Sequence, residues 1–172
     1  MKNLQLPLIC IMMLLGVSCS KDDDNNTNND VTGVTAFSAT INGGTYSNYD
    51  YDLAVYTITK NGNTMSIDVG DQNGDQITIF LNGTNGFDAG TEKVMGNTDD
   101  NNFVTYTLIR QASTQLSYYS SGGTVTITQN VPHPTEANTR LISGDFNITT
   151  ATTDGSSTTV LNGSFSELGY TN

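Results

Sequence analysis

Apolar and polar residues alternate with a period of two along most of the chain after residue 34. Segments 37–41 (Phe-Ser-Ala-Thr-Ile) and 65–69 (Met-Ser-Ile-Asp-Val) show this most clearly. Such alternation is typical of strands with one buried and one solvated face. Glycine- and asparagine-bearing turns separate the segments. The predicted strands lie at residues 37–41, 45–47, 53–60, 65–69, 77–81, 102–110, 116–120, 124–129, 140–150 and 158–168.

No stretch of the chain shows the 3.6-residue apolar stripe of an amphipathic helix. About ten short strands with frequent turns predict a single all-β domain over residues 34–172. We expect an antiparallel β-sandwich, with a partly closed β-barrel as the alternative. In segment 102–110 the alternation places Phe103 and Ile109 on one face, and Val104, Tyr106 and Leu108 on the other.

A short pattern recurs near the end of the chain. Segments 142–146 (Ile-Ser-Gly-Asp-Phe) and 161–165 (Leu-Asn-Gly-Ser-Phe) both read apolar-x-Gly-x-Phe. A glycine on the same strand face as the phenylalanine lets a neighbouring ring pack over the backbone, or marks a bulge. We interpret the two segments as paired strands of one hairpin rather than as units of a repeat architecture, which needs more copies.

The first 18 residues have the composition of an export signal, with Lys2 followed by an apolar run over residues 4–15. That run is too short to cross a ~30 Å hydrocarbon core as a permanent helix. Residues 15–19 (Leu-Gly-Val-Ser-Cys) resemble the lipobox of bacterial lipoproteins, although Gly16 stands where leucine is usual. We predict a signal peptide over 1–18 and acylation of Cys19. The alternatives are an ordinary secreted protein cleaved nearby, or acylation of Cys10, which leaves too short an apolar run before it.

The segment after Cys19 is short and acidic, and comprises Ser20, Lys21, Asp22, Asp23 and Asp24. It resembles the export tag that follows the acylated cysteine in surface lipoproteins of the Bacteroidota; the alternative is a solvated start of a linker. Residues 25–33 are polar and rich in asparagine, which predicts a flexible tether. Acyl chains on Cys19 would be buried in the membrane lipid and would anchor the protein there. We therefore expect an outer-membrane lipoprotein, with residues 19–33 as anchor and tether, facing the cell exterior.

Charge narrows the range of partners. The 172 residues include 17 acidic and 6 basic side chains, which gives a net charge of −11. Nucleic acid binding draws on clusters of lysine and arginine, so we expect no nucleic acid partner.

Loss of Cys10 with the signal would leave Cys19 as the only cysteine and no disulfide. The domain must then be stabilised by its core.

The sequence offers little catalytic chemistry. His133 is the only histidine, lies between two prolines, and reads as a loop residue without a nearby signature nucleophile. Neither a phosphate-binding loop nor zinc-ligand spacing is present. With 17 carboxylates, some pair will be close by chance, yet none has the aromatic context typical of a glycosidase cleft. We expect no enzyme and no cofactor.

Two other groups of residues are candidates for binding. Oxygen side chains at Asp71, Asn73 and Asp75 suit a calcium ion, but the loop lacks a closing glutamate and reads better as a hairpin turn, so we expect no metal. Segment 99–102 (Asp-Asp-Asn-Asn) is a weaker candidate. The tyrosine clusters could stack on sugar rings, but core or edge packing is the more common role of such residues. The clusters comprise Tyr46, Tyr49 and Tyr51, and Tyr118 and Tyr119.

Three segments carry a resemblance to a family. Segment 37–43 (Phe-Ser-Ala-Thr-Ile-Asn-Gly) resembles the opening F-x-A-x-I-N-G of a family of small Bacteroidota lipoproteins of unestablished function. Segments 123–128 (Gly-Thr-Val-Thr-Ile-Thr) and 142–146 resemble its closing strands, whereas Glu92 replaces the aromatic residue of its Gly-Thr-Tyr turn. The resemblance implies an all-β surface lipoprotein and supplies no catalytic residues.

Together these features predict a non-catalytic binding module for a glycan, a peptide or another ligand. The alternative is a structural or assembly lipoprotein of the outer envelope with a protein partner. A concave pocket lined with aromatic residues would favour the binding module, and a smooth polar surface would favour assembly.

Overall fold

The computed structural model describes residues 36–171, and ten strands make up most of that range. They are β1 (Phe37–Gly43), β2 (Tyr46–Tyr51), β3 (Leu53–Asn61), β4 (Thr64–Asp71), β5 (Gln76–Leu81), β6 (Glu92–Val94), β7 (Tyr106–Arg110), β8 (Ser117–Pro132), β9 (Thr139–Ala151) and β10 (Thr158–Thr171). Within this range no helix is long and apolar enough to cross a membrane. The signal segment 1–18, Cys19 and the export tag at 20–24 lie outside the described residues, so they stay predictions.

The strands pair antiparallel in one sheet, in the order β2-β1-β10-β9-β8-β7-β5-β4-β3, with β6 paired to β8. Strand β3, at one edge, lies against β10 near the other edge, so the sheet curls into a nearly closed barrel. The all-β prediction with about ten antiparallel strands is confirmed. Of the two predicted architectures the partly closed barrel fits, and the sandwich does not, because a sandwich needs two separate sheets.

The barrel interior is filled by the inward half of the alternating pattern. Met65 and Ile67 on β4 are fully buried, as are Ile77 and Ile79 on the neighbouring strand β5. Burial of each side chain of this size contributes about 1.5–3 kcal/mol. Bulges interrupt the register of the long strands β8 and β10, which increases the local twist and lets them curve around this core.

Two glycine–phenylalanine pairs join β9 to β10. Gly144 lies opposite Phe165, and Phe146 lies opposite Gly163. A Cβ atom on Gly144 would stand 2.5 Å from Cζ of Phe165, and one on Gly163 would stand 2.6 Å from Cζ of Phe146. Each ring therefore occupies the space above the glycine of the other strand. The interpretation of segments 142–146 and 161–165 as paired strands with rings packed over glycine is confirmed.

Candidate functional site

A row of outward-facing side chains crosses four neighbouring strands. Thr59 on β3 lies opposite Ser66 on β4, and Ser66 lies opposite Phe80 on β5. Phe80 in turn lies opposite Tyr106 on β7. Because Ile79 on the other face of β5 is fully buried, Phe80 points away from the core. The row thus places two hydroxyl groups beside two aromatic rings on the outside of the barrel.

A third ring extends this row into a platform of Phe80, Phe103 and Tyr106. The rings of Phe80 and Tyr106 are stacked, with centroids 5.3 Å apart and planes inclined by 19°. The ring of Phe103 lies 6.3 Å from that of Phe80, at 53°. Phe103 is 48% exposed and Tyr106 is 40% exposed. Clustered, solvent-facing rings of this kind mark interaction sites, whereas isolated ones need no explanation.

Two rings of the platform, those of Phe80 and Phe103, form the apolar side of a cavity of about 460 Å³, which we call the aromatic groove. Tyr106 stacks on Phe80 but does not line the cavity. The polar side of the groove comes from the β3–β4 turn, the adjoining strands and the loop before β7. The polar lining residues are Thr59, Asn61, Gly62, Asn63, Thr64, Ser66 and Asn101. All the lining residues are uncharged, so the groove offers ring faces together with amide and hydroxyl groups.

Asp99 fixes the loop that carries Phe103 and Asn101. Its Oδ1 accepts backbone N–H bonds from Asn101 and Phe103, both at 2.9 Å, and its Oδ2 accepts one from Gly83 at 3.0 Å. These hydrogen bonds, that from Gly83 foremost, hold the pKa of Asp99 below its ordinary value because they stabilise the carboxylate. Asp99 therefore acts as a clamp on one wall of the groove. This use of its oxygens explains the acidic segment 99–102 without a metal.

Residues 82 and 83 at the end of β5 hold the same loop from behind. The side-chain amide of Asn82 donates to the carbonyl oxygens of Asn97 at 2.8 Å and Phe103 at 3.0 Å. A Cβ on Gly83 would come within 2.8 Å of Cβ of Asn63 and 3.3 Å of Oδ2 of Asp99. The β3–β4 turn and the loop before β7 thus meet at Gly83, and the groove walls are preorganised.

A second, polar cavity of about 550 Å³ lies beside Lys93 on β6. Lys93 is only 2% exposed, and its ammonium donates to the carbonyl oxygens of Asn82 at 2.8 Å and Thr84 at 2.5 Å. It also lies 4.4 Å from the ring centroid of Phe87. Burial lowers the pKa of Lys93 to about 8, although the charge of Asp99 opposes this change. The ammonium uses two of its three N–H donors to hold the 82–84 segment and faces the Phe87 ring, so we assign it a structural role.

The tyrosine clusters predicted from the sequence pack mainly inward. Tyr46, Tyr51 and Tyr118 are buried, and Tyr49 is half-buried. The Tyr46 hydroxyl donates to Oδ2 of Asp75 at 2.9 Å. Desolvation, reinforced by that carboxylate, raises the pKa of Tyr46 above its ordinary value. The interpretation of these clusters as core or edge packing is confirmed for all but Tyr119, which is 46% exposed.

Segment 71–75 is the hairpin turn between β4 and β5, as predicted. Oδ1 of Asp71 accepts the backbone N–H bonds of Asn73 at 2.9 Å and Asp75 at 2.8 Å. The carboxylate of Asp75 accepts from Tyr46 and from the backbone N–H of Ala112 at 2.8 Å. The carboxylates therefore fix the turn and dock it on neighbouring segments. Across residues 36–171 no cluster of three or more histidine, cysteine or acidic side chains has metal-binding geometry.

His133 lies in the loop between β8 and β9, as predicted. Its Nδ1 faces the backbone N–H of Glu136 at 3.0 Å, which closes the local turn. Its assignment as a loop residue is confirmed.

Comparison of the chain with protein-family models, with curated proteins and with solved structures gave no match. The site is therefore interpreted from its own geometry.

The sequence did not predict the aromatic platform, because the observed strand β7 is shorter than the predicted strand 102–110 and Phe103 lies outside it. The alternation in segment 102–110 placed Phe103 on the same face as Ile109, but Ile109 is fully buried and Phe103 is exposed. Strand β7 begins only at Tyr106, and Val104 forms an isolated bridge with Thr98. The prediction for Phe103 was therefore wrong. The sequence feature that could have excluded Phe103 from the strand is the asparagine- and aspartate-rich segment just before it, which is typical of a loop.

Proposed function

We propose that this protein is a non-catalytic carbohydrate-binding module, held by an acylated Cys19 in the outer membrane and facing the cell exterior. The observation that carries the proposal is the aromatic groove. In it the exposed ring of Phe103 stands beside Phe80, on which Tyr106 stacks, across from an uncharged wall of amide and hydroxyl groups.

The chemistry of a sugar matches both sides of this groove. The C–H face of a pyranose ring packs on an aromatic face, and its hydroxyl groups exchange hydrogen bonds with amides and hydroxyls. Asn61, Asn63 and Asn101 each provide donors and an acceptor at the groove wall. Single-stranded nucleic acid also stacks on aromatic platforms, but it requires a basic groove. The net charge of −11 therefore favours a sugar over a nucleobase.

The predicted domain begins at residue 34, directly after the predicted tether at 19–33. A lipid anchor followed by a polar tether would hold the domain off the membrane surface and leave the groove open to polymers outside the cell. The acidic tag at residues 20–24 and the likeness of segment 37–43 to surface lipoproteins of the Bacteroidota both support this location.

The test is a glycan array probed with the purified full-length protein and with its Phe103→Ala variant. We expect the wild type to bind a defined set of glycans and Phe103→Ala to bind them at least tenfold more weakly. The fold should remain intact because the ring is exposed. Val131→Ala, which shortens an exposed apolar side chain on β8 outside the groove, should bind as the wild type does. Failure of the folded wild type to bind any glycan would contradict the proposal.

A further inference from the structure

We infer that the binding surface continues beyond the aromatic groove to Tyr119, and that its ligand is an uncharged oligosaccharide of several sugar units. This inference rests on the proposed function and adds to it the length and the charge of the ligand.

A second outward-facing row runs parallel to the row of Phe80 and Tyr106, two residues further along the strands. In it Thr78 on β5 lies opposite Leu108 on β7, and Leu108 lies opposite Tyr119 on β8. Leu108 is half-buried, whereas Tyr119 is 46% exposed. The second row thus ends in another solvent-facing ring on the same outer surface.

The spacing of strands sets the length of this surface. Phe80 and Tyr119 are separated by two strand spacings and by two residues along the strand. With strands about 4.8 Å apart and a rise of about 3.3 Å per residue, their Cα atoms lie roughly 12 Å apart. A single sugar ring stacked on Phe80 in the groove does not reach Tyr119. A chain of several units covers both, so Tyr119 forms a distal subsite.

The charges around this surface select against acidic sugars. Asp68 on β4 lies opposite Thr78 and so belongs to the second row, and its carboxylate accepts hydroxyl bonds from Ser66 at 2.7 Å and Thr78 at 2.6 Å. Asp99 adds a second negative charge at the loop wall. The ammonium of Lys60, on the β3–β4 side, is bound to the carbonyl oxygen of Gly62 at 2.8 Å.

Like charges brought together at a binding surface suppress the wrong partner. Two carboxylates and the ammonium of Lys60 flank an uncharged groove in a protein of net charge −11, so the local balance is negative and a uronic acid or a sulfated sugar would meet net repulsion there. A neutral sugar carries no charge and avoids this cost. Charge complementarity therefore favours a neutral chain.

The experiment is calorimetric titration of the full-length protein with two panels of defined oligosaccharides, each two to six units long. One panel contains neutral gluco-, galacto-, manno- and xylo-oligosaccharides, and the other contains oligogalacturonates and oligoalginates. We expect binding from the neutral panel, with an affinity that rises at least tenfold from the disaccharide to the hexasaccharide. Acidic chains should bind at least tenfold more weakly than neutral chains of equal length at low salt.

Two variants locate the distal subsite. Tyr119→Ala should lower the affinity for the hexasaccharide at least fivefold and leave the disaccharide affinity within twofold of the wild type. Phe103→Ala should weaken both. A third variant, Asp68→Asn, tests the charge selection and should reduce the discrimination against acidic chains.

The results separate the two proposals. Equal affinities for short and long chains, an equal effect of Tyr119→Ala on both, or tighter binding of acidic chains would overturn the inference while the carbohydrate function stands. Binding of neither panel, or binding of a peptide at the groove instead, would overturn both.

Discussion

At the scale of single residues, the groove depends on the carboxylate of Asp99, which does not itself line the groove. Its oxygens accept hydrogen bonds from the backbone N–H groups of Gly83, Asn101 and Phe103. They thereby hold a loop whose strand pairing within residues 36–171 is one isolated bridge, between Thr98 and Val104. A loop fixed in advance loses less conformational freedom on binding, which raises affinity. Asp99 is therefore a positioning residue of the proposed site.

Replacement of Asp99 should weaken binding without unfolding the barrel. In Asp99→Ala the backbone N–H groups of Asn101 and Phe103 lose their acceptor, so we expect a loss of affinity of about five- to tenfold, measured by calorimetric titration. Asp154→Ala is the matched control, because Asp154 clamps a loop in the same way through Thr152 and Ser156, and its oxygens do not line the groove. An equal loss of affinity in both variants would contradict the assigned role.

The same carboxylate predicts the pH dependence of binding. The pKa of Asp99 is lowered by its hydrogen bonds, so its ordering of the loop is complete above the ordinary carboxyl pKa of about 3.9. That ordering is lost only as the pH falls through the lowered pKa. Affinity should therefore stay constant from pH 7 to about pH 5. A steep loss of affinity within that interval would show that another group controls the loop.

A second residue-scale prediction concerns the rings packed over glycine. In Gly144→Ala the new Cβ would meet Cζ of Phe165 at 2.5 Å and the carbonyl oxygen of Thr126 at 2.7 Å. Overpacking of this kind in a buried site costs about 1–3 kcal/mol of unfolding free energy, measurable by urea titration. Gly122→Ala on β8 is the control, because a Cβ there has no neighbour within 4 Å, and it should change stability by less than about 0.5 kcal/mol. Equal stability of the two variants would contradict the packing.

At the scale of strands and turns, the β4–β5 hairpin is docked by one buried acidic side chain. Asp75→Ala removes the acceptor of the Tyr46 hydroxyl and of the backbone N–H of Ala112. Two donors left without partners in a buried region should cost about 2–3 kcal/mol in the same urea titration at pH 7. Asp88→Ala, at an exposed side chain, should be near neutral. A neutral effect of Asp75→Ala would show that water replaces the carboxylate without cost.

The strands themselves were largely predictable from the sequence, whereas the groove was not. Alternation located the core positions of β4 and β5, and the glycine–phenylalanine pattern predicted the β9–β10 pairing. Alternation failed where the chain leaves the sheet, because Phe103 keeps the two-residue spacing of β7 without being part of it. The platform also joins rings from β5, β7 and a loop. Such a cluster depends on register between segments, and a single sequence does not encode register locally.

At the scale of the whole molecule, the sequence did not decide between a sandwich and a closed sheet, for a physical reason. The alternating pattern says which face of each strand is buried, but a sandwich and a barrel bury the same positions. The deciding observation is the packing of β3 against β10, between segments about 100 residues apart in the chain. That packing brings the two ends of the sheet together and curves the outer surface on which the proposed groove lies.

The location of the molecule is testable apart from its ligand. Mass spectrometry of the protein from its native membrane should find acyl chains on Cys19, and Cys19→Ala should remove them and release the protein from the membrane fraction. Alanine replacement of residues 22–24 should leave acylation intact and abolish access of external protease to the domain. An unmodified Cys19 thiol in the mature protein would contradict the anchor.

The most direct test of the central claim is NMR chemical-shift mapping of the folded protein during titration with a neutral hexasaccharide that it binds. The account predicts that the largest shifts fall on Phe80, Asn101, Phe103, Tyr106 and Tyr119, and that the buried tyrosines Tyr46 and Tyr118 stay unperturbed. Shifts confined to another face of the barrel, or no shifts with any neutral hexasaccharide of the panel, would contradict it.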